Sequence, residues 1–459
     1  MRKYHNLLDN IVFNLYIGPE RGAYDMLIQF SVSNFRSFKD KATLNMVASP
    51  KNELADTNII NVSNKLRLTR TAAIYGSNAS GKSNLIKAMS FMKYFVATSS
   101  KEKQAAEPIP VDRFRLSTEQ DNAPSFFEII FIVNGITYRY GFEVNQSIVV
   151  SEWLFSIPTI KEARLFTREG QRIEVGNSFR EGKGLEKKTR DNALFLSVVA
   201  QWNGETAVKL LTWFNNFSII SGLDDAFYRG LTIKKLDDSS FIQKAIKYLR
   251  VADIDIHSIG KTTRQVQEIL PKNMPDDLRS LILKGGGEAI SLWTQHRKYN
   301  DAKEFVGFER FDMDNQESEG TKKLFFMLGP LLDALSNNKI LIVDEMDTRL
   351  HPQITQFIID SFHTSSLNAS QTQLIFATHD VHLMTKRFFR RDQIWFTQKD
   401  KYGSTHFYSL ADYRISNKGV RNDASYINNY LQGRYGAIPY IDHIAYDKLI
   451  NETLQNDKP

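Results

Sequence analysis

YGSNASGKSNLIKAM, residues 75–89, sits between a short apolar run, TRTAAI, and a continuing amphipathic pattern that reaches FMKYFV. The spacing Gly76-Ser77-Asn78-Ala79-Ser80-Gly81-Lys82-Ser83 matches G-x-x-x-x-G-K-S in full. A strand before it and a helix after it are the context that gives this loop its chemistry. The glycines let backbone N–H groups turn inward around phosphate, with Asn84 following in the first helical turn. Lys82 would reach the β- and γ-phosphates, and the helix N-terminus adds its dipole. The Ser83 hydroxyl is the expected Mg²⁺ ligand.

A phosphate-binding loop needs an acid across the site. NKILIVDEMD (338–347) supplies a short apolar strand ending in two carboxylates. Asp344 is placed to hold Mg²⁺, and Glu345 to act as the general base that orients an attacking water. IFATHD (375–380) brings His379 to the end of the next buried strand. Three roles stand open for it: a contact to a γ-phosphate, a structural histidine, or a metal cluster with Asp380 and His382. ESEGTKK (317–323), just upstream of the acidic strand, reads by itself as a helix start capped by Ser318.

The remaining chain is neither repetitive nor low in complexity. Alternating runs at 125–144 turn at Asn134-Gly135, and those at 163–175 turn at Glu169-Gly170, so an antiparallel sheet follows the phosphate loop. A third hairpin is expected near Tyr402-Gly403. NALFLSVVAQ and ETAVKLLTWFNNF read as helices, and residues 238–300 as mixed and largely helical, with breaks at 271–277 and 284–288.

Composition narrows the possibilities. With 459 residues and a hydrophobic fraction of 42%, the chain can bury a sizeable core. There are 0 cysteines, which removes disulfides, Cys-ligated zinc and thiol catalysis together. That composition suits a reducing cytoplasm, the expected location. No apolar run approaches the ~20 residues of a membrane span, so no membrane partner is expected. The net charge of +7 permits DNA as a partner. The basic groups Lys234 and Lys235, then Lys244, Lys247 and Arg250, then Lys386, Arg387, Arg390 and Arg391 are the candidates to face it.

The order of these motifs resembles the ATP-binding-cassette class of ATPases. Within that class the chain is similar to the SMC/RecF/OLD-like heads, on FSVSNFRSFKD (30–40), YGSNASGKSNLIKAM and DEMDTRLHP (344–352). It looks most like the AAA15/AAA21 group of ATP-binding proteins, including the RloA/AbiLi type of bacterial abortive-infection and anti-phage loci. YLQGRYGAIPYI (430–441) adds to that likeness. The resemblance implies an α/β P-loop NTPase of ABC-ATPase type. It would have a mostly parallel central sheet, an antiparallel β-subdomain and an inserted helical lobe, with no long coiled coil. The division would be an N-terminal extension (1–25), with Met26 as an alternative start, and a first ATPase lobe (26–190). A helical insertion (191–305), a second ATPase lobe (306–410) and a tail (411–459) would follow.

The resemblance also assigns roles. Ser318 and Gly320 would be a reduced signature motif, with Glu319 and Thr321 where the wider class has Gly and Gln. Asp347 would be the D-loop acid and His379 the switch histidine. Arg36 would lie near the nucleotide, and a Q-loop glutamine is expected, with Gln104 and Gln120 both open. ATP and Mg²⁺ are the implied cofactors. Two heads would sandwich ATP in a homodimer or larger homo-oligomer. A separate effector, a nuclease encoded nearby, would be regulated in anti-phage defence. The competing expectation is a RecF-like DNA-repair ATPase. Asp312, Asp314 and Glu317 form an acidic loop, read as solvated rather than metal-binding.

Overall fold

The computed structural model describes residues 25–102, 104, 106–158, 161–265, 274–275, 288–415, 418–419 and 425–439. The N-terminal extension up to 24, the breaks at 271–277 (apart from 274–275) and 284–287, and the tail beyond 439 lie outside the described residues.

The strands appear in the order β1 (Met26–Ser33), β2 (Ala42–Asn45) and β3 (Thr71–Tyr75), followed by helix α1 (Lys82–Thr98). Next come β4 (Ser125–Val133), β5 (Ile136–Val144), β6 (Val149–Ile157), β7 (Ala163–Glu169) and β8 (Arg172–Val175). These, with β1 and β2, form a seven-stranded antiparallel sheet in the order β8-β7-β6-β5-β4-β1-β2. The hairpins at Asn134-Gly135 and Glu169-Gly170 are where the alternation predicts them.

Beyond this sheet lie α2 (Phe195–Gln201), α3 (Glu205–Asn215), β9 (Phe217–Ser221), α4 (Ala226–Lys235) and α5 (Ser239–Val251). Then follow β10 (Ser258–Gln265), β11 (Glu288–Tyr299), β12 (Phe305–Asp312) and α6 (Glu319–Asn337). The chain closes through β13 (Ile340–Asp344), α7 (Pro352–His363), β14 (Leu374–Ala377), β15 (Ile394–Lys399), β16 (Thr405–Ser409) and α8 (Tyr426–Leu431). The central sheet has six strands in the order β9-β13-β14-β3-β15-β16, parallel except for the terminal β15–β16 hairpin.

Both faces of this sheet are covered, which is why its strands read as continuous apolar runs. Ile74, Ile342, Ile375 and Trp395 point to one side and share a core with α1 and the antiparallel sheet. Tyr75, Leu341, Val343, Phe376 and Phe396 point to the other and pack on α6, α7 and α8. The two sheets are joined by one buried amide. Gln373, just before β14, accepts from the Leu27 N–H at 2.8 Å and donates to the Leu27 carbonyl at 3.1 Å. A side chain that satisfies three backbone groups across two sheets (it also donates to the Thr69 carbonyl) fixes their spacing.

The region 191–305 differs from its expected helical character. Its helices α2–α5 are interrupted by β9, which pairs in parallel with β13 and so belongs to the central sheet. It ends in an antiparallel sheet of three strands, β10-β11-β12, which continues to Asp312. Residues 288–299 carry no strong periodicity, and their pairing on both sides with β10 and β12 decides their state. Helix α6 carries Pro330 in its interior, which leaves the Phe326 carbonyl without its helical donor. The Thr232 hydroxyl of α4 donates to that carbonyl at 2.6 Å, so the helix break becomes a lock between α4 and α6. Among the described residues no helix exceeds the 19 residues of α6, and none is long and apolar enough to cross a membrane.

Replacing Gln373 with Leu should leave the Leu27 N–H and two carbonyls buried and unpaired, at about 1–3 kcal/mol for each group left unsatisfied. Urea unfolding should show a clearly lowered midpoint. An unchanged midpoint would mean the two sheets do not depend on this amide.

Candidate functional site

Parallel pairing brings the C-terminal ends of β9, β13, β14, β3 and β15 to one edge of the central sheet, where such folds bind ligands. From β3 the chain enters the phosphate loop. Gly81 caps α1 with φ +117°, and a Cβ there would lie 2.5 Å from the Thr405 Oγ1, so only glycine fits. The loop is backed by three side chains that sequence reasoning did not single out. Ser80 and Thr397 share a hydroxyl contact at 2.6 Å. Thr405 donates to the Ser80 carbonyl at 2.8 Å. Ser37 accepts from the Asn84 amide, also at 2.8 Å. The adjacent Arg36, expected near the nucleotide, is held by Asp112 at 2.8 Å. Neither glutamine reading is resolved: Gln104 is exposed, and Gln120 lies in a short 3-10 turn.

Lys82 is buried at the start of α1, and its ammonium donates to the carbonyls of Gly76 at 2.8 Å and Ser77 at 3.1 Å. Burial pulls its pKa below the ordinary lysine value, while Asp344, Glu345 and Asp347 pull it back up. Those carboxylates therefore surround the lysine as the motif order implies. Ser77, Asn78, Ala79 and Ser83 complete the loop and the first helical turn.

Asp344 ends β13, and its Oδ1 is buried without a hydrogen-bond partner. A desolvated carboxylate oxygen is costly unless something cationic meets it. The residues therefore fit Mg²⁺ at Asp344 and Ser83, and a nucleotide along Gly76–Asn84. Glu345 has φ 53°, a left-handed conformation uncommon for a non-glycine residue. Such strain persists only where neighbours hold it, and is commonest at functional sites. The neighbour is Gly222, after β9. Its N–H donates to the Asp344 carbonyl at 2.6 Å, and a Cβ on it would collide with the Glu345 carbonyl oxygen. Gly222 too escaped the sequence reading; the signal was the apolar FSIIS run ending in glycine.

Asp347 accepts from the His379 N–H at 3.2 Å, which ties the turn after β13 to the end of β14. The His379 imidazole is held below its ordinary pKa, by desolvation first and the Lys82 charge second, with Asp347, Glu345 and Asp344 opposing. The neutral ring is favoured, able both to donate and to accept. Asp380 is used as a cap, accepting from the His382 N–H at 2.9 Å. Among the described residues no group of His, Asp and Glu is arranged to hold a metal by itself, so the His379-Asp380-His382 cluster falls away.

Ser318 and Gly320 lie in a second cluster, at the start of α6. Ser318 is the N-cap and accepts from the Thr321 N–H at 3.1 Å. Glu319 is paired with Arg349 at 3.0 Å and with Lys322 at 2.5 Å. The upstream acidic loop is spent on structure: Asp314 pairs with Arg229 at 2.7 Å, and Glu317 with His296 at the same distance. Of the basic groups suggested for DNA, Arg390 and Arg391 are buried, Arg390 against Asp392 at 2.7 Å, so they cannot face a polyanion. Lys235 is paired with Asp333. Lys244, Lys247 and Arg250 are exposed on α5.

Residues 72–385 match the family model AAA_21, described as "AAA domain, putative AbiEii toxin, Type IV TA system". No curated protein matches the chain. Among solved structures, the SMC head domain from Thermotoga maritima is similar at 14% identity and a TM-score of 0.36, covering 85% of this chain and 99% of that one. The SmcHead bound to the C-winged helix domain of ScpA is similar at 12% identity and a TM-score of 0.40, covering 83% and 97%. The fold is α/β, with a central sheet that is parallel up to its terminal hairpin and a second, antiparallel sheet, and the chain belongs to the AAA_21 family of AAA domains.

Proposed function

We propose that this chain binds Mg²⁺·ATP and hydrolyses it to ADP and phosphate, with nucleotide-dependent pairing of two heads as its working cycle. The observation that carries the reading is the convergence of Lys82, Asp344, Glu345, Asp347 and His379 at one sheet edge, with an unpartnered oxygen on Asp344. Gly76, Gly81 and the intervening N–H groups hold phosphate. Lys82 neutralises it. Ser83 and Asp344 would hold Mg²⁺, which would supply charge stabilisation to the γ-phosphoryl group as it passes from ADP to water. Glu345, fixed in its left-handed turn, orients the water and takes its proton. His379, neutral and tied to Asp347, reads the γ-phosphate.

Ser318 and Gly320 stand apart from the Lys82 cluster. In the sandwich reading they serve the nucleotide held by a second copy. In this reading 26–190 and 306–410 build the ATPase and 191–305 is inserted between them, lending β9 to the central sheet. The family description, with its toxin of a toxin–antitoxin system, supports a place in bacterial conflict of the RloA/AbiLi kind. There the ATPase would regulate a separate effector nuclease in the cytoplasm. A DNA-binding, RecF-like role retains the exposed group Lys244, Lys247 and Arg250.

Three substitutions test this. Lys82→Ala should abolish ATP binding and phosphate release; hydrolysis at the parent rate would overturn the site. Glu345→Gln should bind ATP normally, lose about 10²–10⁴-fold in kcat, and accumulate as an ATP-bound assembly on gel filtration. Ser318→Arg should leave nucleotide binding by one chain intact and abolish ATP-dependent pairing and turnover. If pairing survives, Ser318 is a helix cap only, and its loss should then cost stability of ~1 kcal/mol.

A further inference from the structure

Lys323 lies five residues beyond Ser318 on α6 and is only 4% exposed. A lysine is rarely buried to this degree without a partner that repays the desolvation. Its ammonium donates to the Gly222 carbonyl, and lies 3.4 Å from the Tyr228 hydroxyl of α4. Gly222 is the residue whose N–H holds the Asp344 carbonyl and whose missing Cβ makes room for the Glu345 carbonyl. One unbroken set of contacts thus runs from the cap of α6, through Lys323 and Gly222, to the strained turn that carries Glu345. Gly222 and Lys323 line a cavity of about 190 Å³ together with Arg229, Lys322 and Arg349.

The other three cations are already engaged. Arg349 and Lys322 share Glu319, and Arg229 is held by Asp314. Lys323 is different, because the acceptor it reaches is a backbone carbonyl of the catalytic edge and not a carboxylate. A side chain without a donor would leave that carbonyl without this bond, and the Gly222 loop would lose its fixed distance from α6.

We propose that Lys323 is a positioning residue, an ammonium strut that ties the signature helix to the Asp344–Glu345 turn of the same chain through the Gly222 carbonyl. This deepens the ATPase reading and rests on it. Contact made at Ser318 by a second head would be passed to Glu345 through a single rigid connection. Hydrolysis would then depend on how α6 is seated as well as on what fills the phosphate loop.

The charge state of the strut gives it a signature. Burial pulls the Lys323 pKa down to about 8, with Arg349 acting in the same direction and Asp225, Asp347 and Glu345 opposing. Tyr228 is pushed up by burial and stays neutral over the same range. A lysine with a depressed pKa is charged below that value and neutral above it, so the charge-assisted bond of the strut is intact at neutral pH and weakened as pH rises through about 8.

The test measures ATP affinity, kcat and its pH profile on the full chain. Lys323→Met should bind Mg²⁺·ATP within about threefold of the parent, yet lose at least tenfold in kcat. Lys323→Arg, which stays charged throughout, should restore kcat and move the alkaline limb upward. A folded Lys323→Met with parental kcat, or an alkaline limb that Lys323→Arg leaves in place, overturns the strut. Should Lys323→Met fail to fold, Lys323→Gln keeps a donor without the charge, and a parental pH profile in it is equally fatal. Glu345→Gln is run alongside. If the parent chain does not turn over Mg²⁺·ATP, the ATPase reading itself fails, and if Glu345→Gln keeps the parental rate, the catalytic turn is misassigned. If that variant is inactive while the Lys323 variants are normal, only the strut fails.

Discussion

Five strands lying parallel in one register make this site, because parallel pairing sends every strand's C-terminal end to the same edge. Ser221, Asp344, Ala377, Tyr75 and the β15 residues around Phe396 are brought level by backbone hydrogen bonds alone, and each is followed by a loop that carries polar groups. Nothing in the chemistry of Lys82 or Asp344 finds its partner across more than 250 residues of chain. The sheet does that, and the side chains inherit the geometry. Its apolar faces explain why the arrangement is firm: each strand buries residues against α1 on one side and α6 on the other.

Placing three carboxylates near one buried lysine costs free energy in both directions. Lys82 loses hydration, and Asp344 Oδ1 has no donor among the described residues. Chains keep such arrangements where binding something else offsets the cost, and strain at Glu345 belongs to the same account. The site is thus the place where local preference and tertiary need disagree most. Elsewhere a buried carboxylate is met from within the chain: Glu152, fully buried, accepts from the N–H groups of Phe195 and Leu196 and from Tyr140.

The legible parts of this molecule were those encoded by contiguous residues. The phosphate loop, the apolar strand ending at Asp344-Glu345 and the Asn-Gly and Glu-Gly hairpins each announce themselves within ten or so neighbours. β9 did not, since five residues after a helix have no periodicity long enough to separate strand from helix end. β11 did not either, because its state is set by two partners distant in sequence. The least legible groups were Ser37, Thr397, Thr405, Gly222 and Lys323. They are ordinary residue types, and their meaning arises only from proximity, as with Ser80 and Thr397, 317 positions apart. Within the basic run at 386–391 the two halves differ for the same reason: Lys386 and Arg387 are exposed, whereas Arg390 satisfies a buried loop instead of the solvent.

The hydroxyl wall behind the phosphate loop bears on where the functional unit ends. The family match stops at 385, after the last of the catalytic motifs. Thr397 and Thr405 lie beyond it, on the β15–β16 hairpin, and they grip Ser80 from the rear. β15 is also the strand that flanks β3 on its outer side. A piece trimmed to the matched region would contain Lys82, Asp344 and His379 and lack Ser37, Thr397 and Thr405, all three side chains that back the loop. The stretch that carries the recognisable motifs and the mechanical unit that holds them have different boundaries, and only the second is a sensible unit for dissection or transplantation.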